Sequence, residues 1–396
     1  MSTGRDGDGK TGRAASYAAS GGRGASYAAS GGRGASYAAS GVDVVGLEPG
    51  LGSLVQRLAA TTAFPRVGRP ALPNGFFANV LDLGTGQGLA ISTDGVGTKL
   101  LVALAMERFD TIGIDLIAMN VNDVLCVGAE PIAVVDYIAI SATDRNLLDQ
   151  FAAGLVEGAR QARISIPGGE IAQVRELLRP HPPHGESFDV VATAVGVVPM
   201  DRIVVGRDVK PGDVVVGLPS NGIHSNGLTL ARRVLVGERG PEGYRDRPAA
   251  LGGASVGEEL LRPTRIYVAE VMALLDAGVP VKALAHITGD GLLNLSRIAA
   301  PDVGFVLDRL PEPEPIFGLL AEAAHVEPAE MYTTFNMGIG FCIVVAEADL
   351  ERTLGLLRPL EPRATVLGRA VADQERKMVL PGPGLTGTGK TFSPLR

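Results

Sequence analysis

Residues 91–99, Ile-Ser-Thr-Asp-Gly-Val-Gly-Thr-Lys, constrain the architecture of this chain more than any other stretch. The β-prone residues 89–93 lead into a turn in which glycines let the backbone approach a ligand closely. Backbone N–H groups, a hydroxyl and an ammonium are groups that bind phosphate in proteins. After the turn, the pattern is compatible with a new helix or with a strand that continues. The candidate phosphate-binding residues of the turn are Asp94, Gly95, Gly97, Thr98 and Lys99.

The segment 115–127 is predicted to form a helix because its apolar residues recur at helical spacing. Asp115 precedes Asn122 by seven residues and Asp123 by eight, so the three side chains share one helix face. Asp123 falls in the last turn, where the helix dipole disfavours an anion and a cation would compensate. Together with Asp94, these acids are candidate oxygen ligands for Mg²⁺. The alternative is a solvated acid in the turn and a capping or surface pair on the helix.

Two later segments repeat the order strand, glycine loop, helix. The strand predicted from residue 213 leads into the loop 221–227 and a helix from Leu228, an arrangement that suits an anion at a helix N-terminus. The strand-like residues 284–288 precede a second glycine turn, in which Asp290 is an equal candidate for ligand contact and for holding the turn. The candidate ligand-binding residues of both loops are Ser220, His224, Ser225, Asn226, Gly227, Thr288, Gly289, Asp290 and Gly291.

A further candidate acid follows a double glycine. Residues 164–170, Ile-Ser-Ile-Pro-Gly-Gly-Glu, are predicted to be a strand that runs into a turn at Gly168 and Gly169 and presents Glu170. Glu170 is a candidate ligand for metal or nucleotide, and the competing interpretation is a Glu favoured by the dipole of a helix N-terminus. Between these motifs, residues 132–140 are predicted to form a strand buried on both faces.

Composition restricts the class of protein. The 396 residues suit two domains, and 46% hydrophobic with 20% charged residues is typical of a soluble globular chain. The net charge of −7 argues against nucleic-acid binding, which normally requires a basic surface. Cys126 and Cys342 lie in apolar runs and are predicted to be buried thiols. Because no apolar run approaches the ~18 residues of a membrane span and no signal core is visible, we expect a cytoplasmic protein without membrane association.

Two glycine-rich segments match motifs of other protein classes. Residues 80–88 match the first motif of S-adenosylmethionine-dependent methyltransferases, but the β-prone residues that follow Gly88 leave no room for the required helix. We therefore predict a β-hairpin there. Residues 384–391 satisfy the Walker A pattern, yet only five residues follow Thr391, which is too few for the helix of a P-loop.

Taken together, the motifs resemble those of the phosphoribosylformylglycinamidine cyclo-ligase family, also called aminoimidazole ribonucleotide (AIR) synthases. Asp290 and the pair Leu292-Leu293 resemble the archaeal-type branch of this family. The matching motifs occur in the same order as in the family and extend over roughly residues 36–392. Its blocks are Thr-Asp-Gly-Val-Gly-Thr-Lys at 93–99, the segment 110–123, Gly-Ala-Glu-Pro at 128–131, and the segments 168–170, 220–227, 286–291 and 335–340.

The resemblance implies a mixed α/β fold with two domains. In such proteins, strands of the N-terminal domain pair across a homodimer interface to form a barrel, and a C-terminal α/β domain covers the active-site cleft. We assign residues 36–203 to the N-terminal domain and residues 204–380 to the C-terminal domain. Residues 1–35 contain a repeated decapeptide of small residues and are predicted to be a disordered tail, and residues 381–396 are predicted to be a C-terminal tail.

The implied activity is the ATP-dependent closure of formylglycinamidine ribonucleotide to aminoimidazole ribonucleotide, with release of ADP and phosphate. Mg²⁺ is the implied cofactor, a monovalent cation is left open, and the two glycine loops of the second half are the implied substrate site. The implied metal ligands are Asp94, Asp123 and Glu170. The implied catalytic residues are Asp94, Lys99 and His224, of which His224 either transfers a proton or only binds substrate. The implied nucleotide-binding residues are Asp94, Gly95, Gly97, Thr98, Lys99, Asp115, Asn122, Asp123, Gly168, Gly169 and Glu170.

Two alternatives stay open at this point. Within the same superfamily, thiamine monophosphate kinase, selenophosphate synthase and the hydrogenase-maturation ATPase use similar acid-rich nucleotide sites. The kinase lacks the full blocks seen at 93–99 and 224–227, and the selenophosphate enzyme normally carries an N-terminal Cys or selenocysteine that is absent here. The other alternative is a nucleotide-binding regulator without catalysis, against which the presence of Lys99, Asp123 and His224 argues.

Overall fold

The computed structural model describes residues 44–179, 186–323 and 325–395. The predicted tail 1–35 and residues 36–43, the predicted start of the N-terminal domain, lie outside the described part. The described residues form two sheets with helices packed against them, which confirms the mixed α/β class. No helix in this part of the chain is long and apolar enough to cross a membrane.

The N-terminal half is built around a six-stranded sheet with the order β1-β2-β3-β6-β4-β5. Neighbouring strands are antiparallel except β4 and β5, which run parallel. The strands are β1 (Arg69–Pro70), β2 (Asn79–Asp82), β3 (Gln87–Gly95), β4 (Glu130–Ile140), β5 (Ser165–Gln173) and β6 (Phe188–Pro199). The helices are α1 (Val44–Ala59), α2 (Lys99–Met106), α3 (Asp110–Leu125) and α4 (Arg145–Ala162).

Helix α3 is held between the sheet and α4 at close range. A Cβ atom at Gly113 would lie 2.2 Å from the backbone nitrogen of Leu155, and one at Gly154 would lie 2.1 Å from the backbone oxygen of Asp110. Only glycine permits the two helix backbones to approach this closely. On its sheet side α3 buries Leu116 and other apolar residues completely. The position of α3, which carries the predicted site acids, is therefore fixed by packing on both sides.

The other face of the six-stranded sheet is uncovered in the described chain. Side chains of β6 alternate between the helix-covered face and this open face. Much of β4 alternates in the same way, so the prediction of a strand buried on both faces is wrong. Such an apolar sheet face is normally covered by a second layer. Its apolar side chains, which are 37–42% exposed, are Ile132, Val135, Tyr137 and Val191.

The C-terminal half is built around an eight-stranded sheet with the order β14-β13-β12-β9-β11-β7-β10-β8. The inner strands β7 and β10 are almost completely buried. The strands are β7 (Val214–Pro219), β8 (Ala283–His286), β9 (Val303–Val306), β10 (Ile339–Val345), β11 (Thr365–Ala372), β12 (Met378–Leu380), β13 (Leu385–Thr388) and β14 (Thr391–Pro394). The helices are α5 (Leu228–Leu235), α6 (Val256–Leu260), α7 (Val268–Asp276), α8 (Pro315–Ala323), α9 (Pro328–Thr334) and α10 (Leu350–Leu357).

The two motif-like glycine segments fold as hairpins. β2 and β3 pair antiparallel across the methyltransferase-like residues, as predicted. The Walker A-like residues form the hairpin of β13 and β14. This hairpin extends the eight-stranded sheet, and Phe392 packs edge-on against Tyr332. Residues 385–394 of the predicted separate tail 381–396 are therefore part of the second sheet.

Candidate active site

The face of α3 that carries Asp115, Asn122 and Asp123 lies against the C-terminal half. All three side chains make hydrogen bonds to residues beyond position 220. Helix α3 begins five residues earlier than predicted and ends at Leu125, but the three side chains share one face as expected. We call this contact the α3 interface; it comprises α3 and the segments 94–99, 220–229, 262–267 and 286–297.

Asp94 is held at the edge of this interface by Asn120. The backbone nitrogen of Asp94 donates to Asn120 Oδ1 (2.9 Å), and Asn120 Nδ2 donates to the backbone oxygen of Asp94 (3.1 Å). Burial, together with the negative charge of Asp123, raises the pKa of Asp94 to about 7, although a hydrogen bond from Gly95 and the charge of Arg297 oppose the shift. Asp94 and Asp123 thus form a like-charge pair, which a divalent cation would stabilise.

Asp123 is joined to the C-terminal half by His286 of β8. His286 Nδ1 lies 2.9 Å from Asp123 Oδ1, and the imidazole is completely buried while the carboxylate is 17% exposed. The backbone nitrogen of His286 donates to Cys126 Sγ (3.2 Å), which ties β8 to the end of α3. Cys126 and Cys342 are both free and buried, as predicted. His286 is the partner that offsets the unfavourable helix-end position of Asp123.

Lys99 lies inside the α3 interface. Its Nζ atom donates to Asp115 Oδ1 (2.9 Å) and to the backbone oxygen of Arg262 (2.6 Å), and both charged side chains are completely buried. Burial lowers the pKa of Lys99, and the adjacent Asp115 carboxylate opposes that shift. In this arrangement the ammonium is engaged by Asp115 and a backbone oxygen, and the phosphate contact predicted for Lys99 from its motif stays a prediction. A helix, α2, begins directly at Lys99.

Asp115 also joins two loops of the C-terminal half. Its Oδ1 atom accepts hydrogen bonds from Thr264 N (2.7 Å), Thr264 Oγ1 (2.6 Å) and Ser225 Oγ (3.1 Å). Asn122 plays a similar part, because Nδ2 donates to Arg265 O (2.8 Å) and Oδ1 accepts from Tyr267 N (3.1 Å). Asp115, Asn122 and Ser225 are therefore used to dock the two halves, and the first two are too buried to contact nucleotide as predicted.

His224 is buried in the 220–229 segment in a left-handed conformation, with φ of 61°. Its Nε2 atom accepts a hydrogen bond from Asn221 N (3.0 Å), while Nδ1 has no hydrogen-bond partner among the described residues. Burial lowers the pKa of His224 well below its usual value, and nearby positive charges add to the shift. The ring is therefore neutral near pH 7, and its predicted role in proton transfer or in substrate binding alone stays a prediction. Ser220 is likewise buried and donates to Asn336 Oδ1 (3.0 Å).

Asn226 and the turn 288–291 face one another. Asn226 Oδ1 lies 3.5 Å from the position of a Cβ at Gly289, and Asn226 Nδ2 is buried without a hydrogen-bond partner in the described chain. Asn294 Nδ2 holds the turn by donating to the backbone oxygens of Gly289 and Gly291, each at 2.8 Å. Gly227 is required for packing, because a Cβ there would lie 2.3 Å from the Phe335 ring. Asn226 thus supplies a free amide donor beside this turn.

Arg297 places a cation next to the same turn. Its guanidinium lies over the ring of Phe77 at 4.8 Å and contacts Asp290 Oδ2 at 3.4 Å. Its charge also acts on Asp94 across the α3 interface. With Lys99 buried, Arg297, which is 18% exposed, is a better placed cation for an anionic ligand at this site. Asp290 holds Arg297 and adopts a left-handed conformation in the turn, with φ of 71°.

Strand register separates Glu170 from Asp94. Asp94 is opposite Ala192, Ala192 is opposite Asp136, and Asp136 is opposite Gly169, so this row faces the helix-covered side of the sheet. Glu170 belongs to the next row, with Tyr137, and therefore faces the open side. Gly168 and Gly169 lie within β5 rather than in a turn. A metal site made by Asp94, Asp123 and Glu170 of one chain is contradicted by this register.

No group of three His, Cys, Asp or Glu side chains in the described segments is gathered closely enough to hold a metal by itself. The carboxylate pair Asp94 and Asp123 is what remains of the predicted set. Sequence reasoning missed His286, Asn120 and Arg297. His286 is the first residue of a motif that belongs to the resemblance, and Asn120 lies one turn before Asp123 on the same helix. Both residues could therefore have been predicted from the sequence.

Comparison with known proteins gives the class of this fold. The family models described as AIR synthase related protein, N-terminal and C-terminal domains, match residues 77–198 and 210–380. Among solved structures, the HypE–HypF complex gives a TM-score of 0.58 at 17% identity, over 86% of this chain and 99% of the other. AaThiL complexed with AMPPCP and TMP gives 0.57 at 16% identity, over 88% and 98%. At these identities the likeness concerns the fold alone.

Curated relatives narrow the class. Phosphoribosylformylglycinamidine cyclo-ligases of Methanothermobacter thermautotrophicus and Thermococcus kodakarensis are 48% and 46% identical to this chain. Each alignment covers 80% of the chain, and 89% and 90% of the respective relative. The Pyrococcus horikoshii enzyme of that name is 42% identical over 85% of the chain and 95% of its own length. The chain belongs to the phosphoribosylformylglycinamidine cyclo-ligase family.

Proposed function

We propose that the α3 interface is where this chain binds Mg-ATP and formylglycinamidine ribonucleotide and closes the imidazole ring of aminoimidazole ribonucleotide. The reaction is that of the family, and it releases ADP and phosphate. The observation that carries the location is the pair of Asp94 and Asp123 carboxylates where the two halves of the chain meet. The amide of Asn226 and the guanidinium of Arg297 lie across from this pair on the C-terminal half.

The donor set fits a Mg²⁺ ion that is shared with nucleotide. Mg²⁺ is usually held by one or two protein carboxylates, with water and phosphate oxygens completing its shell. Asp94 and Asp123 supply these carboxylates, and burial first, then the charge of Asp123, raises the pKa of Asp94 and makes its ionised form unfavourable without a cation. When bound, Mg²⁺ would supply neutralisation of the charge on the transferred phosphoryl group.

The chemistry requires a poor leaving group to be activated. The formyl amide oxygen takes the γ-phosphoryl group of ATP, the amidine nitrogen attacks the same carbon, and the C–O bond breaks so that oxygen leaves within phosphate. The attacking nitrogen loses its proton. Such a sequence depends on positioning and on charge neutralisation more than on covalent participation of the protein.

The residues of the chain divide into two groups in this proposal. The turn 96–98 offers backbone N–H groups to phosphates, and the hydroxyl of Thr98, 2.8 Å from that of Thr229, links this turn to α5. Lys99, Asp115 and His224 act as positioning residues. They hold the loops of the C-terminal half against α3, and neutral His224 does so by accepting a backbone hydrogen bond.

We also propose that the chain forms a homodimer through the open face of its six-stranded sheet. Val135→Asp would place a charge in the centre of this apolar face and is expected to convert the dimer to a monomer, because a buried unpaired carboxylate is strongly unfavourable. Sedimentation velocity would measure the mass. Val156→Asp, at a side chain that is 68% exposed on α4, is the control and should stay dimeric. A monomeric wild-type protein, or a Val135→Asp variant that remains dimeric, would contradict the proposal.

The activity is tested by phosphate release from Mg-ATP with and without formylglycinamidine ribonucleotide, together with detection of the imidazole product. Phosphate release that requires this substrate and equals imidazole formation is expected. Turnover with thiamine monophosphate instead would assign the chain to the kinase branch. Nucleotide binding without any turnover would indicate a regulator.

A further inference from the structure

The orientation of the Asn122 amide is fixed by two backbone groups. Its Oδ1 atom is 3.1 Å from the Tyr267 nitrogen, which can only donate, and its Nδ2 atom is 2.8 Å from the Arg265 oxygen, which can only accept. A flipped amide would lose both hydrogen bonds. The second hydrogen of Nδ2 is therefore available to a further acceptor.

That acceptor is His286. Its Nε2 atom lies 3.4 Å from Asn122 Nδ2, and because Nδ2 is a donor, Nε2 must carry a lone pair. Nδ1 then carries a ring proton; it lies 2.9 Å from Asp123 Oδ1 and donates to it. The ring is fixed in this orientation by complete burial and by stacking on Phe341, with centroids 6.3 Å apart.

A series of hydrogen bonds therefore runs from the backbone of 265–267 through Asn122 and His286 to Asp123. Within the described residues, His286 makes the only hydrogen bond to the Asp123 side chain that the structure records. It engages Oδ1, and no donor to Oδ2 is found in the part of the chain that the structure describes. Partners of this kind orient metal-binding carboxylates and are needed for full metal affinity.

We propose that Asn122 and His286 are positioning residues that hold Asp123 for Mg²⁺ and make metal affinity depend on contact between the two halves of the chain. This inference rests on the proposed function, since it requires Asp94 and Asp123 to bind the metal. Asn122 thereby acts on the nucleotide site without touching nucleotide. This series of hydrogen bonds couples docking of the C-terminal half to assembly of the metal site.

Two substitutions of His286 distinguish the hydrogen-bonding roles of its two ring nitrogens. In His286→Asn the amide nitrogen takes the place of Nδ1 and retains the donor to Asp123, whereas in His286→Gln it takes the place of Nε2 and the donor is lost. With Mn²⁺ and ADP as the probe, electron paramagnetic resonance should show affinity roughly 10- to 100-fold weaker in His286→Gln, and within about threefold of wild type in His286→Asn. Equal affinities in the two variants would overturn the proposal.

The wild-type protein supplies an independent test and a control. ¹⁵N NMR of the imidazole nitrogens, assigned with the His286→Asn variant, should show a proton on Nδ1 of His286; protonation on Nε2 alone would overturn the proposal whether or not His286→Gln folds. Mn²⁺ binding by wild type should be lost in Asp94→Asn. If Asp94→Asn binds Mn²⁺ with the affinity of the wild type, the proposed metal site itself is refuted. This result is distinct from equal affinities in the two His286 variants.

Discussion

Replacing Asp94 by Asn is expected to lower kcat by roughly a thousandfold, because groups that neutralise charge in phosphoryl transfer contribute effects of this size. Asparagine keeps the shape of the side chain and the hydrogen bonds that Asn120 makes to the backbone of residue 94. It removes the negative charge that the proposed Mg²⁺ site requires. Steady-state phosphate release with saturating substrate, at several Mg²⁺ concentrations, measures the effect.

The same substitution is expected to stabilise the metal-free protein at pH 8. The pKa of Asp94 is raised from 3.8 to about 7, so its contribution to the free energy of unfolding is present below pH ~4 and is lost as the pH rises through 7. At ~1.4 kcal/mol per pH unit, the loss is at most on the order of 4 kcal/mol at pH 8. Asparagine does not ionise, so thermal unfolding in the presence of a chelator should show a higher midpoint for the variant at pH 8.

The control for Asp94→Asn is Asp149→Asn, which alters a 71% exposed aspartate on α4 and should change neither activity nor stability. An Asp94→Asn variant that keeps activity within tenfold of wild type would contradict the proposed role. A variant that loses activity but is no more stable at pH 8 would show that Asp94 does not form a costly like-charge pair with Asp123.

Lys99→Met is expected to destabilise the protein by about 3–5 kcal/mol, because it leaves the completely buried Asp115 carboxylate without its ion-pair partner. Thr264 and Ser225 would still donate to Asp115, but neither carries a compensating charge. Chemical denaturation of the wild type and the variant measures the difference in unfolding free energy.

The double variant Lys99→Met/Asp115→Asn provides the matched control, because it removes both charges and keeps the volume of both side chains. It should recover much of the lost stability, so that the two single changes are strongly non-additive. If Lys99→Met instead unfolds like wild type and raises KM for ATP, then Lys99 contacts phosphate as its motif predicts, and the buried ion pair is not the functional arrangement.

The shared helix face of Asp115, Asn122 and Asp123 was predictable because helical spacing is a local property of the sequence. The residues that this face contacts could not be predicted from the sequence. The partners of these side chains are Thr264, Tyr267 and His286, more than 140 positions away in the chain. Without knowledge of these contacts, buried polar residues that dock two domains look the same in sequence as residues that bind a ligand.

Glu170 shows a second limit of sequence reasoning. The double glycine before it suggests a turn, yet Gly168 and Gly169 continue β5, where Cβ at Gly169 would collide with Asp136 Oδ1. In a strand the side-chain direction alternates, so a single residue decides whether an acid faces the helices or the open side. Register depends on pairing with β4, which the sequence of β5 does not contain.

The hairpin of β2 and β3 was predicted correctly because the methyltransferase motif requires a helix for which the sequence has no room. The hairpin of β13 and β14 was not predicted; the sequence excluded only a Walker A helix there. Arg297 was missed because its position over Phe77 depends on contact between the two halves. The fold class and family were evident from the ordered motifs, whereas the homodimer, the Mg²⁺ requirement, any monovalent cation and the cytoplasmic location stay predictions.

The most direct test of the α3 interface as the nucleotide site is anomalous diffraction from crystals grown with Mn²⁺ and a non-hydrolysable ATP analogue. The expected result is a Mn²⁺ peak within coordination distance of the carboxylates of Asp94 and Asp123, with phosphates against the turn 96–98 and Lys99 still paired with Asp115. A peak coordinated by Glu170 and not by Asp123, or phosphates bound by a Lys99 released from Asp115, would contradict it.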